Sequence, residues 1–139
     1  MILLDTSGLL AAIDGKQRHH DAAARSLKAA RAPLLLSPFV LAELDYLLAT
    51  RVGLNAELAL LGEVARGAYQ LATFSADDVA AASEVMERYL SLELGLADAS
   101  IVVLAERYGI TDVLTLDERH LRAITLATGE AFRILPLDA

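Results

Sequence analysis

The sequence predicts an α/β fold, a three-layer α/β/α domain around a short-stranded, mainly parallel central sheet. Three observations predict it. Apolar runs of three or four residues recur at Ile2 to Leu4, Leu34 to Leu36, Val113 to Leu116 and Phe132 to Leu135. Ile2 to Leu4 and Leu34 to Leu36 are apolar throughout rather than alternating, the other two carry one polar residue each, and helical patterns lie between them, as in a parallel sheet covered on both faces. No repeat, linker or low-complexity tract interrupts the 139 residues, 55% of them hydrophobic, so residues 1–139 read as one domain.

Taken in order, Ile2 to Leu4 feeds Asp5-Thr6-Ser7-Gly8, a turn rich in capping side chains, and a helix is expected over Leu9 to Ile13. After the polar break at Asp14 to Gln17, the Ala-rich segment from His19 to Ala30 reads as an amphipathic helix. Ser37-Pro38 joins an N-cap to a proline at the first helical position, where a missing N–H costs nothing. The spacing predicts a helix from Phe39 to about Arg51, ending near Gly53. Leu58, Leu61 and Val64 recur at helical spacing between Leu54 and Arg66, before Gly67; they suit the core, and also subunit or partner contacts. Tyr69 to Thr73 suits a short strand or an extended link. Ser75 and Asp78 form a capping-box pattern that opens a helix to about Leu90. Leu96 to Tyr108 is the next helix, closed by Gly109, and Glu118 to Ala123 the last.

Composition excludes several classes. There is no cysteine, hence no disulfide, zinc-thiolate site or cysteine nucleophile. A formal charge of -7 is the wrong sign for a surface that attracts phosphates everywhere, so any nucleic acid must be gripped locally. Met1 to Asp5 lacks a basic leader, and the apolar stretch from Ala32 to Ala42 is far shorter than the roughly 20 residues that cross a bilayer. A cytoplasmic protein with no membrane partner is expected.

Four carboxylates stand out. Asp5 and Asp117 follow strand candidates, which places them at the carboxyl edge of the sheet, where open α/β folds bind ligands. Either could be only a helix cap, and Asp98 could only complement a helix dipole. Glu43, however, has Phe39, Val40, Tyr46 and Leu47 as its helical neighbours, and Asp98 has Leu94, Ile101 and Val102. Carboxylates on apolar stripes need partners, and no lysine or arginine is prominent beside these two. If the four converge, each pair about 4 Å apart repels by roughly 4 kcal/mol at an effective dielectric near 20, so a cation must sit among them. Oxygen donors select a hard divalent ion, Mg²⁺ or Mn²⁺, and Mg²⁺ readily adds phosphate oxygens. His19 and His20 lack the spacing of a helical zinc pair and are not assigned to metal.

Asp5-Thr6-Ser7, Val40-Leu41-Ala42-Glu43-Leu44, Asp98 at the opening of a helix and Thr115-Leu116-Asp117 together resemble the PIN domains of the VapC toxin group, in order and spacing across nearly the whole chain. The resemblance implies an endoribonuclease of a type II toxin-antitoxin module. It further implies dependence on Mg²⁺ or Mn²⁺, transfer or ribosomal RNA as substrate, a homodimer, and a VapB-type antitoxin as partner. Carried over by position, Asp5, Glu43, Asp98 and Asp117 would be catalytic and metal-binding, with Thr6 and Thr115 as supporting hydroxyls. Where many relatives have another acid and then an aromatic residue, this chain has Arg119 and His120. Arg119 could meet RNA. The densest basic stretch, from Lys16 to Arg31, reads mainly as a solvated helix face.

A non-enzymatic or receiver-like Mg²⁺-binding signalling or interaction domain is the alternative. A receiver would carry adjacent acids after the first strand and a lysine after the last, and an aspartyl phosphatase would carry Asp-x-Asp where Ser7 stands.

Overall fold

A computed structural model describes residues 1–139. Its five strands, β1 (Ile2–Leu4), β2 (Leu34–Leu36), β3 (Gln70–Leu71), β4 (Asp112–Leu114) and β5 (Arg133–Leu135), form one sheet in the order β3-β2-β1-β4-β5. All neighbouring strands are parallel. Ile2, Leu3 and Leu4 are each 1% exposed. Successive strand side chains point to opposite faces, so this burial requires helices on both sides, the three-layer arrangement expected.

Seven helices supply those layers: α1 (Thr6–Ile13), α2 (His20–Ala29), α3 (Pro38–Arg51), α4 (Leu54–Ala65), α5 (Ala76–Arg88), α6 (Leu96–Tyr108) and α7 (Glu118–Leu121). The start of α3 follows the expected chemistry, with the Ser37 hydroxyl accepting from the Phe39 N–H at 3.2 Å. Ser75 and Asp78 cap α5 reciprocally, and α6 ends at Gly109 in a left-handed conformation, φ 64°, that glycine adopts without penalty.

Three expectations need correction. First, α1 begins at Thr6 rather than Leu9, so Gly8 lies inside a helix. A Cβ there would stand 2.3 Å from the Leu114 carbonyl oxygen. The glycine lets α1 lie directly on β4. Second, β4 ends at Leu114 and α7 at Leu121, each shorter than its apolar pattern suggests. Third, of the three apolar residues spaced along α4 only Val64 packs against the core; Leu58 and Leu61 are 55% and 38% exposed, and Leu60 supplies the buried contact. Spacing identified the helix but not which residues of it are buried.

The chain order places the site. From β1 the chain moves outward to β2 and β3, then returns to β4 and β5 on the other side. The order therefore reverses between β1 and β4, and at such a switch point the loops diverge and leave a crevice. Asp5 follows β1 and Asp117 lies three residues beyond β4.

Candidate active site

At this crevice an open cleft of about 350 Å³ is lined by all four acids, Asp5, Glu43, Asp98 and Asp117, from four separate segments. Hydroxyls hold them. The Thr115 hydroxyl donates to Asp5 Oδ2 at 2.6 Å and accepts the Asp117 N–H at 2.9 Å, so one side chain positions two acids. Thr6 donates to Glu43 Oε1 at 2.8 Å, tying α1 to α3. Ser7, to which the sequence assigned no role, accepts the Leu116 N–H at 2.9 Å and lies 3.2 Å from Thr115 Oγ1. It pins the segment between β4 and α7. Beneath the cleft, Ser37 and Ser100 share a hydrogen bond of 2.7 Å that joins the start of α3 to α6, the helices bearing Glu43 and Asp98.

The four acids differ in setting. Asp5 occupies the N-cap position of α1, yet its side chain makes no capping bond. It is 5% exposed, and burial, opposed in part by the Thr115 hydrogen bond, pushes it up to about 6. Asp98 is half-buried and also raised, by burial first and then by the charge of Asp117, while its carboxylate accepts the Gly95 N–H at 3.2 Å. Asp117 does cap a helix, accepting from the His120 N–H at 3.2 Å. Glu43 is exposed, against the expectation of a buried stripe. The buried side of α3 is Val40, Leu44 and Leu48; Glu43 sits beside that row with Leu47, facing the cleft.

His120, which the sequence grouped only with the basic residues Arg119 and Arg122, belongs with the acids. Its Nδ1 lies 2.6 Å from Asp117 Oδ2, a contact that raises its pKa. Asp98, Asp117 and His120 each offer a ligand atom within 4.8 Å of the others. Three residues separate Asp117 from His120, one helical turn, which is the spacing that could have revealed the pair. Arg119 is exposed and does not line the cleft.

This donor set fits a divalent cation. Five ion pairs occur in the protein, and none involves Asp5, Glu43 or Asp98. Asp117 has His120 beside it, but Asp5, Glu43 and Asp98 have no ion-pair partner, and with Asp5 nearly inaccessible the cleft carries negative charge that a small cation relieves. His120 lies beside the carboxylate oxygens, and once deprotonated it would add a nitrogen to them.

The PIN domain family model matches residues 2–125. Over 135 residues the chain is 43% identical to Ribonuclease VapC26 of Mycobacterium tuberculosis (strain ATCC 25618 / H37Rv), covering 97% of this chain and 100% of that one. Mycobacterium tuberculosis VapC20, described as a sarcin-ricin loop cleaving toxin, shares the fold with a TM-score of 0.80 at 24% identity, over 86% of this chain and 92% of that one. FitAcB from Neisseria gonorrhoeae shares it with a TM-score of 0.59 at 22% identity, over 85% and 88%. The family match spans β1 to β4 and the four acids, and the VapC26 likeness spans almost every residue; this chain belongs to the PIN-domain family, among its VapC proteins.

Proposed function

We propose that residues 1–139 act as one PIN domain, an endoribonuclease toxin of a type II toxin-antitoxin module. It hydrolyses phosphodiester bonds of cellular RNA, transfer or ribosomal, at a Mg²⁺ or Mn²⁺ site. The convergence of Asp5, Glu43, Asp98 and Asp117 on one cleft carries this reading. The ribonuclease name of its 43% identical relative supports it.

Asp5, Glu43, Asp98 and Asp117 would hold the cation, with His120 beside the last two. When bound, the ion polarises water and phosphodiester and offsets the developing charge. The residues themselves supply position and proton transfer. Thr115 fixes Asp5 Oδ2, Thr6 fixes Glu43, and Ser7 holds the Leu116 backbone from which Asp117 follows. A carboxylate of the cluster would take the proton from the attacking water. Arg119, outside the cleft, is kept as an RNA contact only at its rim.

A homodimer and a VapB-type antitoxin complete the reading. The exposed apolar side chains Tyr46, Leu54 and Leu58 on α3 and α4 supply surface for such contacts. No helix is long and apolar enough to cross a membrane, in keeping with a cytoplasmic site of action.

The test is incubation of the protein with total cellular RNA, with Mn²⁺, with Mg²⁺ and with chelator, followed by mapping of new ends. Discrete cuts that vanish with chelator and in Asp5→Asn are expected. Intact RNA under every condition, or cutting equally strong in Asp5→Asn, overturns the reading.

A further inference from the structure

Arg51 is the last residue of α3 and lines the same cleft as the four acids. It takes part in none of the protein's ion pairs, whereas Arg107, Arg122 and Arg133 are each engaged by aspartate or glutamate. Arg51 is exposed, and it is the one lysine or arginine among the residues that line this acidic cleft. Glu43, Leu47 and Arg51 follow one another at four-residue steps on α3, all lining the cleft. The opposite wall is Thr6, Leu10 and, beyond α1, Gln17. The Thr6 to Glu43 hydrogen bond fixes how the two walls face each other at the acidic end. Leu10 and Leu47 lie between that end and the Arg51 end. At 1.5 Å per residue, Arg51 stands about 12 Å along α3 from Glu43.

The cleft is thus a trough with an acidic, cation-accepting end, an apolar middle and a cationic end. An RNA strand has that pattern: a phosphate, then sugar and base surface, then further phosphates. An acidic peptide would gain nothing at the carboxylate end. We propose that Arg51, in the cleft that Gln17 also lines, is a phosphate-binding subsite that grips the RNA strand two to four nucleotides from the bond being cut, roughly the span that 12 Å covers along a stacked or extended strand. Guanidinium suits the task, since its forked donors match two phosphate oxygens at once. Gln17 spends one N–H on Asp14 Oδ2, at 3.1 Å, and keeps a second donor. The site supplies the local grip that a chain of charge -7 requires. The assignment rests on the RNA-cleaving reading above.

The experiment measures binding of a fluorescein-labelled single-stranded RNA by anisotropy, with Mg²⁺ present, across a salt series. The protein carries Asp5→Asn so that the strand is not cut, with and without Arg51→Ala or Arg51→Lys. Arg51→Ala should weaken binding about tenfold and lower the slope of log affinity against log salt by about 0.7, the value for one lost phosphate contact on a single strand. Arg51→Lys should keep most of the slope, because it keeps the charge. In the wild-type background, Arg51→Ala should raise KM for RNA far more than it lowers kcat. Unchanged affinity and slope, or weaker binding with an unchanged slope, overturns the assignment. So does tighter Mn²⁺ uptake by Arg51→Ala without any change in RNA binding, which would make Arg51 a counter-charge. Should wild-type protein cut no RNA, the ribonuclease reading falls and this one with it; should it cut RNA with Arg51→Ala equal in KM, only the subsite falls.

Discussion

Asp5 and Asp138 show two uses of one side chain. Asp138 faces Arg122, whose NH1 and NH2 groups donate to its two oxygens at 3.1 and 2.6 Å, and it also accepts the Ile134 N–H at 2.8 Å. Arg122 holds it below the usual carboxylate range. Asp5 is buried, has a hydroxyl for its partner and no basic group, and is pushed up to about 6. Asp78 follows Asp138, held low by the Ser75 backbone and by Arg107; Asp98 follows Asp5. Asp138 and Asp78, which hold structure, are each met by an arginine, whereas Asp5 and Asp98 are in no ion pair and line a cleft whose charge a cation from solution would meet. The energy of folding is lowered in the first region and raised in the second, as expected where function opposes stability.

The largest effect should come from the acids of the cleft. Asp5→Asn, Asp98→Asn or Asp117→Asn is expected to lower RNA cleavage at least a hundredfold, several kcal/mol of lost rate acceleration, measured as initial rates in Mg²⁺. Near-normal rates would place these acids with Asp138.

The next concerns stability without metal. The folded pKa of Asp5, about 6, lies above the ordinary 3.8. Between those values the folded protein holds a proton that the unfolded chain does not. The contribution of this group is therefore full below about pH 4 and is lost as pH rises through about 6. In chelator, Asp5→Asn should be more stable than wild type at neutral pH by about 2–3 kcal/mol, the gap closing towards pH 4, by denaturant unfolding. A gap that stays constant with pH would show that burial does not set the Asp5 equilibrium.

Smaller again is Thr115→Val, which removes the hydroxyl between Asp5 and the Asp117 backbone. Loss of about 1–2 kcal/mol of stability is expected, with cleavage about tenfold slower. Both parts matter, since a purely structural hydroxyl would move stability alone. The smallest effect is reserved for Asp138→Asn, which should lower Tm slightly and leave the cleavage rate as it is.

The fold was legible where chemistry is local. Ile2 to Leu4 and Leu34 to Leu36 are buried on both faces and so carry an unbroken apolar run, and Ser37-Pro38 and Ser75 with Asp78 state their helix starts directly. β3 was left between strand and link because Gln70 and Leu71 are an exposed edge pair with no burial pattern to read. The early start of α1 was hidden because Gly8 reads as a turn until Leu114 is packed on it. In the site, the four acids could be chosen from their contexts. The hydroxyls split: Thr6 and Thr115 came with the motif, whereas Ser7 acts through a backbone N–H 109 positions away. His120 and Arg51 were hidden for the same reason, since their meaning depends on which wall of a cleft they line. Glu43 was legible as an acid of the site but not as an exposed one, because four neighbours on a helix do not show which side faces the core.

Calorimetric titration of the metal-free protein with Mn²⁺, wild type beside Asp98→Asn and Asp138→Asn, tests most directly whether the unpaired acids form a cation site. Saturable uptake by wild type and Asp138→Asn, weakened at least tenfold in Asp98→Asn, is the expected result. No uptake by wild type, or uptake indifferent to Asp98, would contradict it.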